Sequence, residues 1–251
     1  MNAVQAWSRP APLEPTPIAE VDAAVADLRR NADRWVATGI EARLDLLRAV
    51  LRNLEVEADA WIATACKLKG IERGSNGEGQ EWLSGYLAMP RSARYFIHAL
   101  EHDGRPPEID RRQHENQWIV RVFPQTWLDK ALFTGWHIDL WLEPGAHPEQ
   151  GGIYRRKAAG ERWPGKVALV MGAGNQIFLG PTDMLHKLFV DDEVVLLKMN
   201  PVNEVDGPHI ERAFKPLIDA GFLRVVYGGV EVGAHLSAHA DIDSIHLTGA
   251  D

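Results

Sequence analysis

The sequence holds a single cysteine, Cys66, in 251 residues. No disulfide can form within the chain, and a reducing, cytoplasmic setting is the expectation. No run of about 18 apolar residues occurs, so no transmembrane helix and no membrane role are expected. Basic residues are outnumbered: 27 Lys+Arg against 35 Asp+Glu leave a formal charge of −8. A broad phosphate-binding face needs clustered cations to displace counterions, so a nucleic-acid partner is not expected either. The first seventeen residues lack the apolar stretch of a secretion signal. They carry Pro10, Pro12, Pro15 and Pro17 instead, which predicts an irregular or extended arm. What is present is 45% hydrophobic and 25% charged residues, enough apolar material for a core. At roughly 150 residues per domain, the length suits one large domain or two small ones.

The first hundred residues read as helical. Val21, Val25 and Leu28 are spaced at helical intervals, continued by Trp35 and Val36. Leu44, Leu47, Leu51, Leu54, Ala58, Trp61, Ile62 and Ala65 recur every three or four residues, predicting a long helix over 41–69. Gly70 suits its C-terminal stop, and Lys67 and Lys69 suit the negative end of its dipole. A Gly/Asn-rich loop over 70–79 leads to a third helical stretch over about 81–101, with a break or kink expected at Pro90. Asn116–Phe123 reads as a strand, apolar, branched and aromatic. From Lys166 the pattern changes: Val167–Met171, Val194–Met199, Leu223–Tyr227 and Ser244–Leu247 are short apolar runs separated by amphipathic helical stretches. That alternation predicts crossover units and a parallel sheet. The fold class expected is therefore α/β, divided into a helical N-terminal region (1–115), a small β segment (116–165) and a partial Rossmann-like α/β domain (166–251).

The loop Gly172–Ala173–Gly174–Asn175 follows the first of those strands and precedes a helix. It begins like a dinucleotide fingerprint, G-x-G-x-x-G, whose amides and helix terminus face a pyrophosphate. The sixth position is Ile177, not glycine, so the plain alternative is a tight turn that simply needs glycine.

At this point the sequence resembles the aldehyde dehydrogenase superfamily. Asn175 stands where that family has Pro-Trp-Asn, Lys198 ends the strand VVLLKMNP where the family places a lysine, and the run from Val225 to Gly249 matches a glycine-opened helix followed by a strand closing on Thr-Gly-Ser. The resemblance implies an NAD or NADP cofactor, an aldehyde substrate, and oxidation to the carboxylic acid through a cysteine thiolate. It implies that the Asn175 amide donates to a developing oxyanion, a role worth about 3–4 kcal/mol in other acyl-transfer sites. It implies that Lys198 meets the adenosine ribose, that Gly228, Gly229 and Gly233 let the backbone approach the cofactor, and that the backbone at Gly249 contacts a cofactor phosphate. It also implies that 116–165 holds an oligomerisation hairpin, and hence a homo-oligomer in which Trp118–Phe123 pairs with a partner chain.

The sequence departs from the family pattern in three places. Pro201 stands where NAD-using members often carry a glutamate, and Glu204 is near but out of register. That leaves NAD and NADP both open. Ala250 replaces the serine of the Gly-Ser pair. The family's general-base glutamate and nucleophilic cysteine lie beyond the Thr-Gly-Ser strand, so the chain is expected to be the cofactor-binding half of an enzyme, inactive alone, with Cys66 a buried structural thiol. The alternatives are an acyl-CoA or acyl-phosphate reductase of the same superfamily, and a non-catalytic binding or interaction protein that uses its sheet edge. His98 with His102, and His235 with His239, have zinc-chelating spacing but read as helix-terminal histidines, so no metal site is expected. Trp118, Trp127, Trp136 and Trp141 read as core or subunit packing.

Overall fold

Helix α1 (Ile18–Ala37) and helix α2 (Ile40–Lys69) follow the apolar spacing of the sequence, with Val21, Val25 and Leu28 buried on one and Leu44, Leu47, Leu54, Trp61 and Ile62 on the other. The computed structural model describes residues 11–249. Much of the predicted N-terminal arm, Met1–Pro10, and also Ala250 lie outside them. Gly70 ends α2 in the left-handed region, φ 67°, where its N–H returns to the last turn. The loop expected over 70–79 contains a short helix, α3 (Asn76–Gln80), capped by Ser75. A π turn over Glu81–Tyr86 precedes α4 (Ala88–Leu100). The break expected at Pro90 is not there. Pro90 sits in the first turn of α4, where its missing N–H costs no helical hydrogen bond, and the irregularity falls earlier, at the π turn.

The chain divides into two compact units. One joins the helical segment ending at Ile97 to the segment starting at Arg162; the other is His98–Glu161. The second unit carries a three-stranded antiparallel sheet, β1 (Asp110–His114), β2 (Gln117–Phe123) and β3 (Ile138–Trp141), in that order. Polar β1, with the sequence DRRQH, gave no apolar signal, and Asn116 lies in the turn that pairs His114 with Gln117. Helix α5 (Trp127–Leu132) opens on a reciprocal capping box between Thr126 and Asp129, and α6 (Gly152–Ala158) closes the unit. Asp139 receives Arg121 at 2.8 Å and Arg112 at 2.6 Å, which holds its carboxyl well below the usual range. Trp127, Trp136 and Trp141 are 80%, 75% and 56% exposed, so they do not form a core within this chain.

In the first unit a four-stranded parallel sheet has the order β6-β5-β4-β7. In chain order its elements are β4 (Lys166–Met171), α7 (Leu179–Phe189), β5 (Glu193–Lys198), a 3-10 turn over Glu204–Asp206, α8 (Gly207–Ala213), α9 (Lys215–Asp219), β6 (Leu223–Val226), α10 (Val230–Ser237) and β7 (Ser244–Leu247). All six residues of β5 are buried, as a central parallel strand requires. α7 packs on β4 and β5, α9 on β6 and α10 on β4. The strand order turns back between β6 and β7, and the right-handed rule for parallel crossovers then assigns α10 to the face opposite α7. The N-terminal helices belong to this sheet: α1 packs across β4, β5 and β6, and α2 packs on α8 and α9. Trp35 of α1 inserts its ring beside Phe189 and Phe222 and donates to the Leu188 carbonyl at 3.1 Å.

Candidate functional site

The parallel sheet sends four chain segments past its carboxyl edge. β4 runs into the Gly172–Asn175 loop, β5 ends on Lys198, β6 leads through Gly228 and Gly229 into α10, and β7 ends before Thr248–Gly249. Such an edge is where open α/β sheets bind ligands. The Gly172 N–H donates to the Lys198 carbonyl at 2.9 Å, and the Met199 N–H donates to the Val226 carbonyl at the same distance. The loop after β4 is pinned by buried Asn203, whose side-chain amide donates to the Ala173 carbonyl at 3.0 Å. Gly174 is needed for close approach: a β-carbon there would stand 3.0 Å from Asn200 Oδ1 and 3.1 Å from Val202 Cβ. This second chain contact, more than a nucleotide fingerprint, explains the glycine, and Ile177 at the sixth position is buried in packing.

Lys198 is only 9% exposed. Burial pulls its ammonium below the ordinary lysine value, and the Glu204 carboxylate pulls it back up. Its side chain runs toward α10, with Cε 4.0 Å from where a Gly233 β-carbon would stand. Asn175 is exposed and lines a cavity of about 230 Å³ together with Lys69, Gly174, Val202 and Asn203. Lys198 and Asn175 thus leave the same edge from adjacent strands, and Lys198 does not line the cavity that Asn175 does. Gly229 and Gly249 are exposed with open space where a side chain would go. Gly228 has a different cause: at φ +135°, a β-carbon would meet Val232 at 2.6 Å.

Two residues without a sequence motif stand close to this edge. Glu204 was out of register by spacing, yet it is buried, acts electrostatically on Lys198 and accepts the Leu13 N–H at 3.0 Å. Lys69 suits the negative end of the α2 dipole by position, and in the fold it also lines the Asn175 cavity while its ammonium contacts both Glu81 carboxylate oxygens at 2.8 Å. No sequence signal separated either from an ordinary surface charge. Cys66 is buried in α2, and burial raises its thiol further from ionisation. It is not an activated nucleophile.

The same architecture recurs in solved structures. An aldehyde dehydrogenase of Mycobacterium tuberculosis, complexed with NAD+, aligns over 95% of this chain and 40% of its own, with TM-score 0.59 and 17% identity. The chain has the aldehyde dehydrogenase fold. An NAD-dependent benzaldehyde dehydrogenase from Corynebacterium glutamicum aligns over 94% of this chain and 42% of its own, with TM-score 0.58 and 16% identity. A proline utilization A structure with proline bound in remote sites aligns over 95% of this chain and 20% of its own, with TM-score 0.57 and 18% identity. The chain therefore spans less than half the length of these structures. No protein-family model and no curated protein sequence matches it. Among the described residues, no helix is long and apolar enough to cross a membrane.

Proposed function

We propose that this chain supplies the cofactor-binding half of a cytoplasmic NAD(P)-dependent aldehyde dehydrogenase, which oxidises an aldehyde to a carboxylic acid. One observation carries the reading: on an aldehyde dehydrogenase fold, the Asn175 loop, Lys198, the start of α10 and Gly249 leave a single carboxyl edge of a parallel sheet. The residues suit a dinucleotide. Lys198 offers a compact ammonium for ribose hydroxyls, and Gly233 beside it keeps the groove over α10 free of side chain. Gly229 and Gly249 leave backbone open to a phosphate. The Glu204 carboxylate acting on Lys198 adds negative potential at the ribose end, which favours NAD over a cofactor carrying a 2′-phosphate. The bound cofactor would supply hydride acceptance.

In this reading the Asn175 side-chain amide donates to the substrate oxygen as charge develops on it. Residues 166–251 hold the partial dinucleotide-binding domain, α1 and α2 buttress it, and the segment 116–165 serves in oligomerisation. The exposed Trp127, Trp136, Ile138 and Trp141 support a homo-oligomer, since several large apolar side chains left in water favour burial against a partner. A second reading, partner binding by strand addition, is favoured by edge strand β7, where Ile245 and Leu247 are 49% and 66% exposed.

Calorimetric titration of purified residues 1–251 with NAD and NADP tests the proposal. NAD should bind, more tightly than NADP, and Lys198→Met should weaken binding by about tenfold or more while thermal stability is unchanged or higher. Absence of nucleotide binding by the folded chain would favour the interaction protein.

A further inference from the structure

Sequence spacing made His235 and His239 a pair of helix-terminal histidines, but the fold brings them a third donor. We infer that Asp22, His235 and His239 form a binding site for a divalent transition-metal ion of the zinc type, separate from the sheet edge proposed for the cofactor. His235 lies in α10 and His239 just past its end, four residues on, so the two rings share one side of the helix axis. Asp22, near the start of α1, reaches both rings. Asp22 Oδ1 is 2.6 Å from His235 Nε2 and 3.6 Å from His239 Nε2, and the three donor atoms lie within 4.8 Å of one another.

These distances can be set against what an ion demands. Zinc bonds of about 2.0–2.1 Å in tetrahedral array put ligand atoms about 3.3 Å apart. The Asp22–His239 separation is already within about 0.3 Å of that value. The Asp22–His235 separation has to open by about 0.7 Å, a displacement within reach of the Asp22 side chain, which is 47% exposed. Two imidazoles and one carboxylate suit zinc, copper or nickel better than magnesium or calcium, which prefer all-oxygen shells. The donor set leaves a fourth position for water.

One local contact has to change. The Asp241 N–H donates to His239 Nδ1 at 3.1 Å, whereas ligation through Nε2 leaves the imidazole proton on Nδ1. Asp241 is exposed, so water takes over that amide. His98 and His102 provide the contrast: they have the same spacing, with rings 4.5 Å apart, but among the described residues no third donor completes a cluster with them. An ion at Asp22, His235 and His239 would tie the first helix to the helix that carries Gly233, and would stabilise the chain by mass action.

The test uses the purified chain after chelator treatment, titrated with zinc chloride by calorimetry and with cobalt(II) by absorption. One ion per chain and cobalt bands of a four-coordinate site are expected. His235→Ala, His239→Ala and Asp22→Asn should each weaken zinc by about tenfold or more, and zinc should raise the melting temperature of the wild-type chain more than that of these three variants. Asp22→Asn keeps the size of the side chain and guards against a folding defect, which circular dichroism checks in every variant. His98→Ala with His102→Ala should leave binding intact. No binding, binding unaffected in the folded Asp22→Asn and His239→Ala variants, or binding lost with His98 and His102, would each overturn the site.

Discussion

Lys198 Cε lies 4.0 Å from the point a β-carbon would occupy on Gly233, so the lysine side chain reaches the side of α10 that carries this glycine. A methyl group there makes ordinary van der Waals contact and forces nothing aside. Gly233 is interior to the helix, where glycine costs roughly 0.5–1 kcal/mol relative to alanine. Gly233→Ala should therefore leave stability unchanged or raise it by up to about 1 kcal/mol, while weakening NAD affinity by occupying the groove beside Lys198. Denaturation and calorimetry on one preparation separate the two effects. Unchanged NAD affinity in the stabilised variant would remove Gly233 from the cofactor groove.

Asp206 gives a pH dependence of stability. Its side chain is buried, and neither carboxyl oxygen has a hydrogen-bond partner among the described residues. Burial pushes its pKa from 3.8 up to about 7; Lys69 and the nearby indole of Trp61 pull it down, and Glu81 adds to the rise. The folded state thus holds a proton that the unfolded chain releases near pH 4. Below that pH both states are protonated and no penalty exists. As pH rises from about 4 to about 7, folding is progressively disfavoured, by about 4 kcal/mol once both are ionised. Asp206→Asn should flatten this slope and make the chain more stable than wild type at pH 8. Chemical denaturation between pH 5 and pH 8 measures it, and parallel curves for the two proteins would contradict the assignment.

The parallel sheet was legible because fully buried strands write themselves as short apolar runs: Val167–Met171 and Val194–Met199 lie within a residue of β4 and β5. The same logic failed for β1, whose five residues are all exposed and polar; its pairing with β2 comes from the turn and the ladder, not from burial. Asn175 and Lys198 were legible as positions in an ordered motif. Glu204 and the Asp22 contact to His235 were not, because electrostatic neighbours from distant elements leave no periodic trace. Asp22 and His235, more than two hundred residues apart in sequence, meet only in the fold.

Arg43 and Asp192 form an ion pair at 2.5 Å with both side chains fully buried. The guanidinium also donates to the Trp35 carbonyl at 2.8 Å and the Thr38 carbonyl at 3.0 Å, and Asp192 accepts the Trp163 indole N–H at 3.0 Å. Desolvation makes such a pair a weak net stabiliser, but losing one partner strands a buried charge. Arg43→Met and Asp192→Asn should each cost about 3–5 kcal/mol. The double variant should cost less than the sum by at least about 1 kcal/mol. A urea double-mutant cycle reads the coupling, and strict additivity would show that the two charges are solvated independently.

Gly165 marks where α1 meets the entry to β4. A β-carbon on it would lie 2.1 Å from the Ala32 carbonyl carbon, 2.4 Å from its oxygen and 2.5 Å from the Asp33 nitrogen. These are backbone atoms of a helix and cannot swing aside as a side chain would. The contact is also a hydrogen-bonded one: the Gly165 N–H donates to Asp33 Oδ1 at 2.7 Å, and Arg29 donates to the Gly165 carbonyl at 3.2 Å. Gly165→Ala has to push α1 away from the sheet, giving up these bonds and part of the packing on β4 and β5, for a cost of about 3 kcal/mol or more. Gly79→Ala is the control: a β-carbon there meets nothing within 4 Å, and Gly79 is helical within α3, so stability should hold or rise by up to about 1 kcal/mol. Hydrogen exchange should show the Gly165→Ala loss concentrated in α1 and the start of β4; equal stability of the two variants would mean that α1 does not dock against Gly165.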